Sequence, residues 1–313
     1  MIFYMKGYCG QVKNRDTLNK CASGGLATAL IEDCLNRGGV CYGVAYTPDL
    51  YGAEYIRISQ KSEIHLLQGS KYVKAPLTSE LLNSLCEDLK KGLYVVFTGL
   101  PCDLYDVTLH LEKENINTDN LLKIDLKCNG PAPCEALSQY VKGLEEENKS
   151  KAVRIITPYK NPSCLPVLIR VDFENGKSFV KELSKTDFGV AFDYCKDEKC
   201  YYCAYKGENH KADMTVSNFW GIKVNHPAFN QSGCSYAYVY TKKGEEALEN
   251  LKDFNLFSDD AKKRVSSLPV HTTTPEKIKE YEYFKKNFNK YGLFKAVKKQ
   301  KGFILKIKRL LTR

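Results

Sequence analysis

The chain reads as an α/β protein of mixed type (α+β), with mixed sheets flanked by helices, a Cys-rich irregular segment and a basic helical C-terminal tail. Three observations predict this. Glycine-bounded apolar runs alternate with helix-period stretches as far as residue 147. Short half-polar strands joined by an Asn-Gly turn follow. A Cys- and Tyr-rich region without period then precedes a strongly cationic end.

The first helix is LATALIEDCL (26–35), apolar at helical spacing, entered from Ser23-Gly24-Gly25 and stopped at Gly38-Gly39. VCYGVAY (40–46) and YIRISQ (55–60) read as strands. Gly69-Ser70-Lys71-Tyr72 is a loop ahead of a helix around 78–90, completing an N-terminal α/β unit over 1–90. A second unit, 91–265, opens on the buried-strand run LYVVFTG (93–99), then Leu100-Pro101-Cys102 and a helix through 104–113. NLLKIDLKCNG (120–130) and a helix at 133–147 repeat the plan. VRIITPY (153–159), VLIRVDF (167–173) and KSFVKEL (177–183) alternate as half-exposed antiparallel strands, with Asn175-Gly176 as the hairpin turn. Residues 187–221 lack periodicity and include Cys200-Tyr-Tyr-Cys203 and the single Trp220. A strand at 235–241 and a helix at 243–252 close the core, and 266–313 form the tail.

At 313 residues, 43% apolar and 27% charged, the composition is that of a globular protein. No apolar run approaches the roughly 20 residues of a membrane span. The opening MIFYMKGYCG has no basic leader, so a cytoplasmic location is expected. In a reducing compartment thirteen cysteines point to metal ligation, redox chemistry or burial rather than to disulfides. Residues 281–313 hold eleven Lys or Arg against one acid, Glu282, and so carry the whole net charge of +10. A neutral core lacks the basic footprint of a nucleic-acid binder. The tail, mixing Phe, Leu and Ile with cations, suits peripheral contact with an anionic membrane face, docking of an acidic partner such as a ferredoxin, or simple capping of the domain.

Cys200-x-x-Cys203 can wrap one metal atom or two corners of a cluster. Cys102 and Cys128 each lie just beyond the carboxyl end of a buried strand, the edge where open α/β sheets bind ligands, and can supply the missing pair. Cys195 competes for a ligand position. An all-thiolate set suits either structural zinc or iron–sulfur. Cys9, Cys21, Cys34, Cys41, Cys86, Cys134, Cys164 and Cys234 read as small buried hydrophobes. Ser23-Gly24-Gly25 at a helix start offers N–H groups to a phosphate or serves as a plain cap. Gly69-Ser70-Lys71-Tyr72 brings a hydroxyl, a cation and an aromatic ring to a loop. Neither GxGxxG nor GxxxxGK nor HExxH occurs.

In order, Ser23-Gly24-Gly25, Gly69-Ser70-Lys71-Tyr72, Thr98-Gly99-Leu100-Pro101-Cys102, Asp125-x-x-Cys128-x-Gly130, Cys200-x-x-Cys203 and Asp213…Phe219-Trp220-Gly221 resemble the motif series of the coenzyme F420 hydrogenase/dehydrogenase beta-subunit family, over about residues 20–265. The resemblance implies an FAD-containing oxidoreductase with one [4Fe–4S] cluster, passing electrons between a one-electron carrier and a two-electron acceptor. It selects Cys102, Cys128, Cys200 and Cys203 as cluster ligands and leaves out Cys195. It carries flavin contacts onto Ser23, Gly24, Gly25, Ser70, Lys71, Tyr72, Thr98 and Gly99. The chain departs from the family at Asn218, where an Asp is usual, and at Asn129, where a His is usual, removing two candidate proton donors. It also lacks the clustered N-terminal cysteines of many relatives.

The expected function is therefore a flavin and iron–sulfur oxidoreductase, with a ferredoxin-like donor or partner oxidoreductase on one side and a small-molecule substrate on the other. The alternatives are an accessory module with a four-cysteine structural zinc site, and an electron-transfer subunit of a larger complex.

Overall fold

The structure, a computed structural model, describes residues 5–205, 210–264 and 273–311, with side chains of the last helix followed to residue 303. Residues 206–209 of the Cys-rich segment, and 266–272 and 312–313 of the predicted tail, lie outside the described residues.

The chain begins with β1 (Lys6–Val12) and α1 (Arg15–Lys20), then α2 (Leu26–Asn36). The hairpin β2 (Val40–Tyr46) and β3 (Ala53–Ile58) follows, then α3 (Ile64–Leu67) and α4 (Ser79–Lys90), whose first turn is capped by the Thr78 hydroxyl accepting from Leu81 N. Two strand–helix repeats come next: β4 (Val95–Gly99) with α5 (Pro101–Lys113), and β5 (Leu121–Leu126) with α6 (Cys134–Asn148). Pro101 occupies the first turn of α5, where its missing N–H costs nothing, so the helix starts earlier than the predicted 104 and takes in Cys102.

A three-stranded antiparallel sheet, β6 (Ala152–Tyr159), β7 (Leu168–Phe173) and β8 (Ser178–Glu182), fills the predicted half-exposed stretch. Its hairpin turns at Gly176, φ +78°, which only glycine adopts without strain. The remainder is α7 (Asp187–Tyr194), β9 (Met214–Asn218), β10 (Ser235–Val239), α8 (Lys242–Glu249), β11 (Phe254–Asp259), α9 (Ala261–Arg264), α10 (Pro275–Tyr291) and α11 (Leu293–Leu311).

Eight strands make one mixed sheet in the order β11-β1-β10-β9-β5-β4-β2-β3, so it draws strands from both sides of residue 90. The four inner strands β2, β4, β5 and β9 run parallel, and antiparallel strands extend both edges. One face packs Leu26, Leu30 and Ile31 of α2 against Cys41, Val96, Ile124, Met214 and Val216. The other sets Tyr42, Phe97 and Leu121 under Leu85, Leu104, Val107 and Leu137. Successive residues of a strand point to opposite faces, so the parallel strands, covered on both, read as unbroken apolar runs.

The predicted irregular segment 187–221 is interrupted twice. Thr186 caps α7 by accepting from Gly189 N, and Met214–Asn218 pairs on both edges as an inner strand. Nor does the core close at residue 252. β11 pairs β1 along six positions, and Tyr281, Phe284, Phe288, Leu293, Ala296 and Val297 of the tail helices are buried, most of them in the α6–α7 side of the core. Among the described residues no helix is long and apolar enough to cross a membrane.

Candidate functional site

Two groups of residues meet along the carboxyl edge of the parallel strands. The first contains the four predicted cysteines, all half-buried. Beyond β4, Leu100 N and Tyr55 Oη both donate to Asp103 Oδ2, fixing the first turn of α5. Lys74 pairs with Asp103 and brings its ammonium within 3.3 Å of Cys102 Sγ. Burial and Asp103 push the Cys102 thiol up to about 11 against the pull of Lys74. Cys128, beyond β5, is near enough to act electrostatically on Cys102. Its Sγ accepts from Gly130 N at 3.3 Å.

Gly130, at φ +90°, also marks where the Cys200 segment arrives. A Cβ there would stand 3.4 Å from Cys200 Cβ, and Lys196 Nζ donates to Gly130 O at 3.2 Å. Asp197 caps the short turn that presents Cys200, its side chain accepting from Lys199 N. Tyr205, just after Cys203, lies 4.9 Å ring to ring from Tyr105 of α5, and its hydroxyl senses both Cys102 and Cys203. Three stretches far apart in sequence thus gather all four thiols. Among the described residues no three His, Cys, Asp or Glu side chains close on the position of a single metal ion. Cys195 is buried at the carboxyl end of α7, where its N–H donates to Ala191 O; its electrostatic neighbours are Lys285 and Glu135, and burial pushes its thiol up to about 12.

The second group contains the residues predicted to touch flavin. Gly24 is wedged between backbones: a Cβ there would lie 2.2 Å from Gly10 O and 2.4 Å from Ser235 N. Gly25 starts α2 at φ +85°. Ser23 spends its hydroxyl on Cys234 O, so this part of the predicted phosphate loop is pinned rather than open. Lys71 is buried and donates to Leu66 O and Gln68 O, with its ammonium 5.8 Å from the centre of the Tyr46 ring. Ser70 N donates to Thr157 O at 2.6 Å. Thr98 Oγ1 donates to Tyr42 O and is the atom a Cβ on Gly43 would strike, together with Leu67. Gly99, the next residue, faces the other side of the sheet toward Tyr55 and Asp103. Tyr72, at φ +58°, holds a conformation rarely adopted by a bulky residue and packs edge-on against Phe192.

Lys160 completes this group and was not foreseen. It follows β6 in a loop whose sequence gives no sign of its partner, yet its ammonium donates to Leu18 O and Ser23 O at 2.6 and 2.7 Å. Gln68 Nε2 reaches Cys21 Sγ on the same side. Burial lowers Lys71 to about 7 and Lys160 to about 8. Neither has a carboxylate partner among the described residues. A buried and a half-buried lysine beside a glycine loop fit an anionic group such as a pyrophosphate.

The groups are joined by backbone. Lys74 N donates to Ala132 O and Ala132 N to Tyr72 O, so the strand-like 72–74 runs from the lysine loop to the Cys128 loop.

Comparison with known proteins gives the following matches. Residues 8–82 match the N-terminal part, and residues 93–264 the C-terminal part, of the coenzyme F420 hydrogenase/dehydrogenase beta subunit. The beta subunit of F420-dependent formate dehydrogenase 1 from Methanococcus maripaludis is 22% identical over 247 residues, which cover 78% of this chain; the chain spans 58% of that relative's length. A chain of the F420-reducing [NiFe] hydrogenase complex from Methanosarcina barkeri shares the fold, with TM-score 0.56, 17% identity and 90% of each chain covered.

Proposed function

The chain belongs to the coenzyme F420 hydrogenase/dehydrogenase beta-subunit family, whose members are oxidoreductase electron-transfer subunits, and from that membership we propose an FAD- and [4Fe–4S]-dependent oxidoreductase. Cys102, Cys128, Cys200 and Cys203 hold the cluster. The segments that carry Ser23, Gly24, Gly25, Ser70, Lys71, Tyr72, Thr98 and Gly99 frame the flavin site, and Lys160 joins them. Electrons pass between a ferredoxin-like carrier or a partner oxidoreductase subunit and a two-electron acceptor or small organic substrate.

The observation that carries this reading is the gathering of four cysteines from three separate segments at the sheet edge, tied through the backbone of 72–74 to the loop of the buried Lys71. All-thiolate donors suit iron–sulfur, and the fit extends beyond the donors themselves. The Gly130 N–H to Cys128 and the Lys74 ammonium beside Cys102 are the hydrogen-bond and charge partners that ligating thiolates need. When bound, the cluster supplies one-electron transfer and the flavin two-electron chemistry. The chain's own residues fix positions: Lys71 and Lys160 hold the loops 66–68 and 18–23 and face an anionic part of the flavin, while Tyr72 and Lys74 tie that loop to the cysteines.

Anaerobically purified protein should be brown-yellow, with flavin absorption and about four iron atoms per chain. Cys203→Ser should lose iron, whereas Cys195→Ser should keep it. Colourless protein carrying stoichiometric zinc and no flavin would overturn the reading, and iron retained by Cys203→Ser but lost by Cys195→Ser would move the ligand set.

A further inference from the structure

Asp125 is 1% exposed, and neither of its carboxylate oxygens has a hydrogen-bond partner in ordinary geometry among the described residues. A buried carboxylate left so is expensive unless it carries a proton. Its place is specific. In the parallel ladder Asp125 stands opposite Gly99 on β4 and Thr215 on β9. Gly99 precedes Cys102 by three residues and Asp125 precedes Cys128 by three, so the carboxyl lies on the two strands that lead into the thiol cluster.

Among the described residues the influences on the Asp125 carboxyl are burial and the Thr215 hydroxyl. Thr215, close enough to favour the ionised form slightly, has its hydroxyl 2.9 Å from Tyr240 Oη, and Tyr240 stacks on His210 at 3.5 Å. Lys123, on the same strand, donates to Thr108 Oγ1 and is drawn electrostatically toward Asp213. On α5, Asp103 is engaged by Tyr55 and Lys74. Lys211 lies over the Tyr105 ring. Burial pushes the Asp125 carboxyl up to about 7.

We infer that Asp125 is the redox-linked proton site of this chain, taking up one proton as one electron arrives at the thiolate-bound cluster at the ends of the two strands beside it. This rests on the cluster reading above. The electron comes from the one-electron carrier and the proton from water. Asp125 passes from carboxylate to carboxylic acid, so the added negative charge is matched by one positive charge and no bond at iron is made or broken. The hydrogen-bonded hydroxyls of Thr215 and Tyr240 lie beside Asp125.

The test is the midpoint potential of the iron-loaded protein, measured anaerobically from pH 6 to 10 in wild type and in Asp125→Asn, after iron has been assayed in both. Wild type should show a window in which the potential falls by about 59 mV for each tenfold drop in proton activity. Asp125→Asn should be flat across it. Iron bound with a flat wild-type potential, or a slope kept by Asp125→Asn, overturns this inference alone; a chain that binds no iron overturns the cluster reading and this one with it. Should Asp125→Asn fail to fold, infrared difference spectra of wild type and Asp125→Glu decide. A carboxyl band that appears on reduction and moves in the Glu variant supports the assignment, and an absent or unmoved band overturns it.

Discussion

Lys71 and Lys160 are the residues where burial and charge conflict most openly. Their ammonium groups are held by carbonyl oxygens alone, and burial lowers both well below the ordinary 10.5. Between about 7 and 10.5 the unfolded chain therefore holds a proton at Lys71 that the folded chain has released. Stability from this group rises with pH across that window, and below it the full cost is present. Measured by denaturant midpoint on flavin-free protein, the stability of wild type relative to Lys71→Met should rise from pH 7 to pH 10. Millimolar pyrophosphate should flatten the rise, because a bound anion restores the charged form. With flavin present, Lys160→Met should weaken binding roughly 10- to 150-fold, as losing about 1.5–3 kcal/mol of charge-assisted hydrogen bonding implies, read by fluorescence titration. Unchanged flavin affinity would leave Lys160 a purely structural strut.

At the scale of elements, α2 is bracketed by two glycines that do different jobs. Gly24, before the helix, has backbone atoms 2.2 and 2.4 Å from where a Cβ would sit, and backbone cannot rotate away. Gly38, after it, has open space around that position and only its φ of +74° to satisfy. Gly24→Ala should therefore cost more than Gly38→Ala, about 3 kcal/mol or more against about 1 kcal/mol in urea unfolding, and should also loosen flavin. The tail helices make a second case. Their Lys-rich sequence reads as a solvated cap, but Tyr281, Phe284 and Phe288 recur at helical spacing and Phe284 is fully buried. Phe284→Ala is expected to destabilise by about 3–5 kcal/mol, the range for a large aromatic removed from a core. A loss below 1 kcal/mol would mean the hairpin is an appendage.

For the molecule as a whole the charge is one-sided. Residues up to 280 are neutral, while Lys286, Lys290, Lys295, Lys298 and Lys299 are exposed on the hairpin of α10 and α11. Lys290 and Lys299 also flank the exposed Tyr291 ring at 5.2 and 5.1 Å. A field of this sign attracts acidic surfaces in general and weakens as salt shortens its reach; under the proposed function it would steer an acidic electron carrier. Reversing Lys290, Lys295 and Lys299 to Glu should slow reduction by an acidic ferredoxin about 10-fold or more at low salt and remove most of the salt dependence, with little change in unfolding midpoint. Equal rates for both proteins would assign recruitment to another surface.

The sequence by itself determined the α/β class, the order of the longer helices and strands from residue 26 to 183, and the family to which the chain belongs. Those signals are local: apolar runs, glycine stops, an Asn-Gly turn, and motifs in fixed order. It did not reveal β1, where Gly7 and Gly10 lower strand propensity because Tyr236 Oη and Asn255 O crowd those positions, nor β9, a five-residue strand inside a Cys- and Tyr-rich stretch. Tertiary structure alone brought Lys160 to Ser23, buried Cys195 beside Lys285 and Glu135 at the end of α7, and stranded Asp125 between Gly99 and Thr215. The reason is physical. Propensity and period act over a few residues, whereas burial, desolvation and charge pairing depend on which distant segments share a space. The family resemblance singles out the four cysteines, but whether they share a neighbourhood depends on a parallel sheet that carries Cys102 and Cys128 to one edge and on Gly130, which leaves room for Cys200.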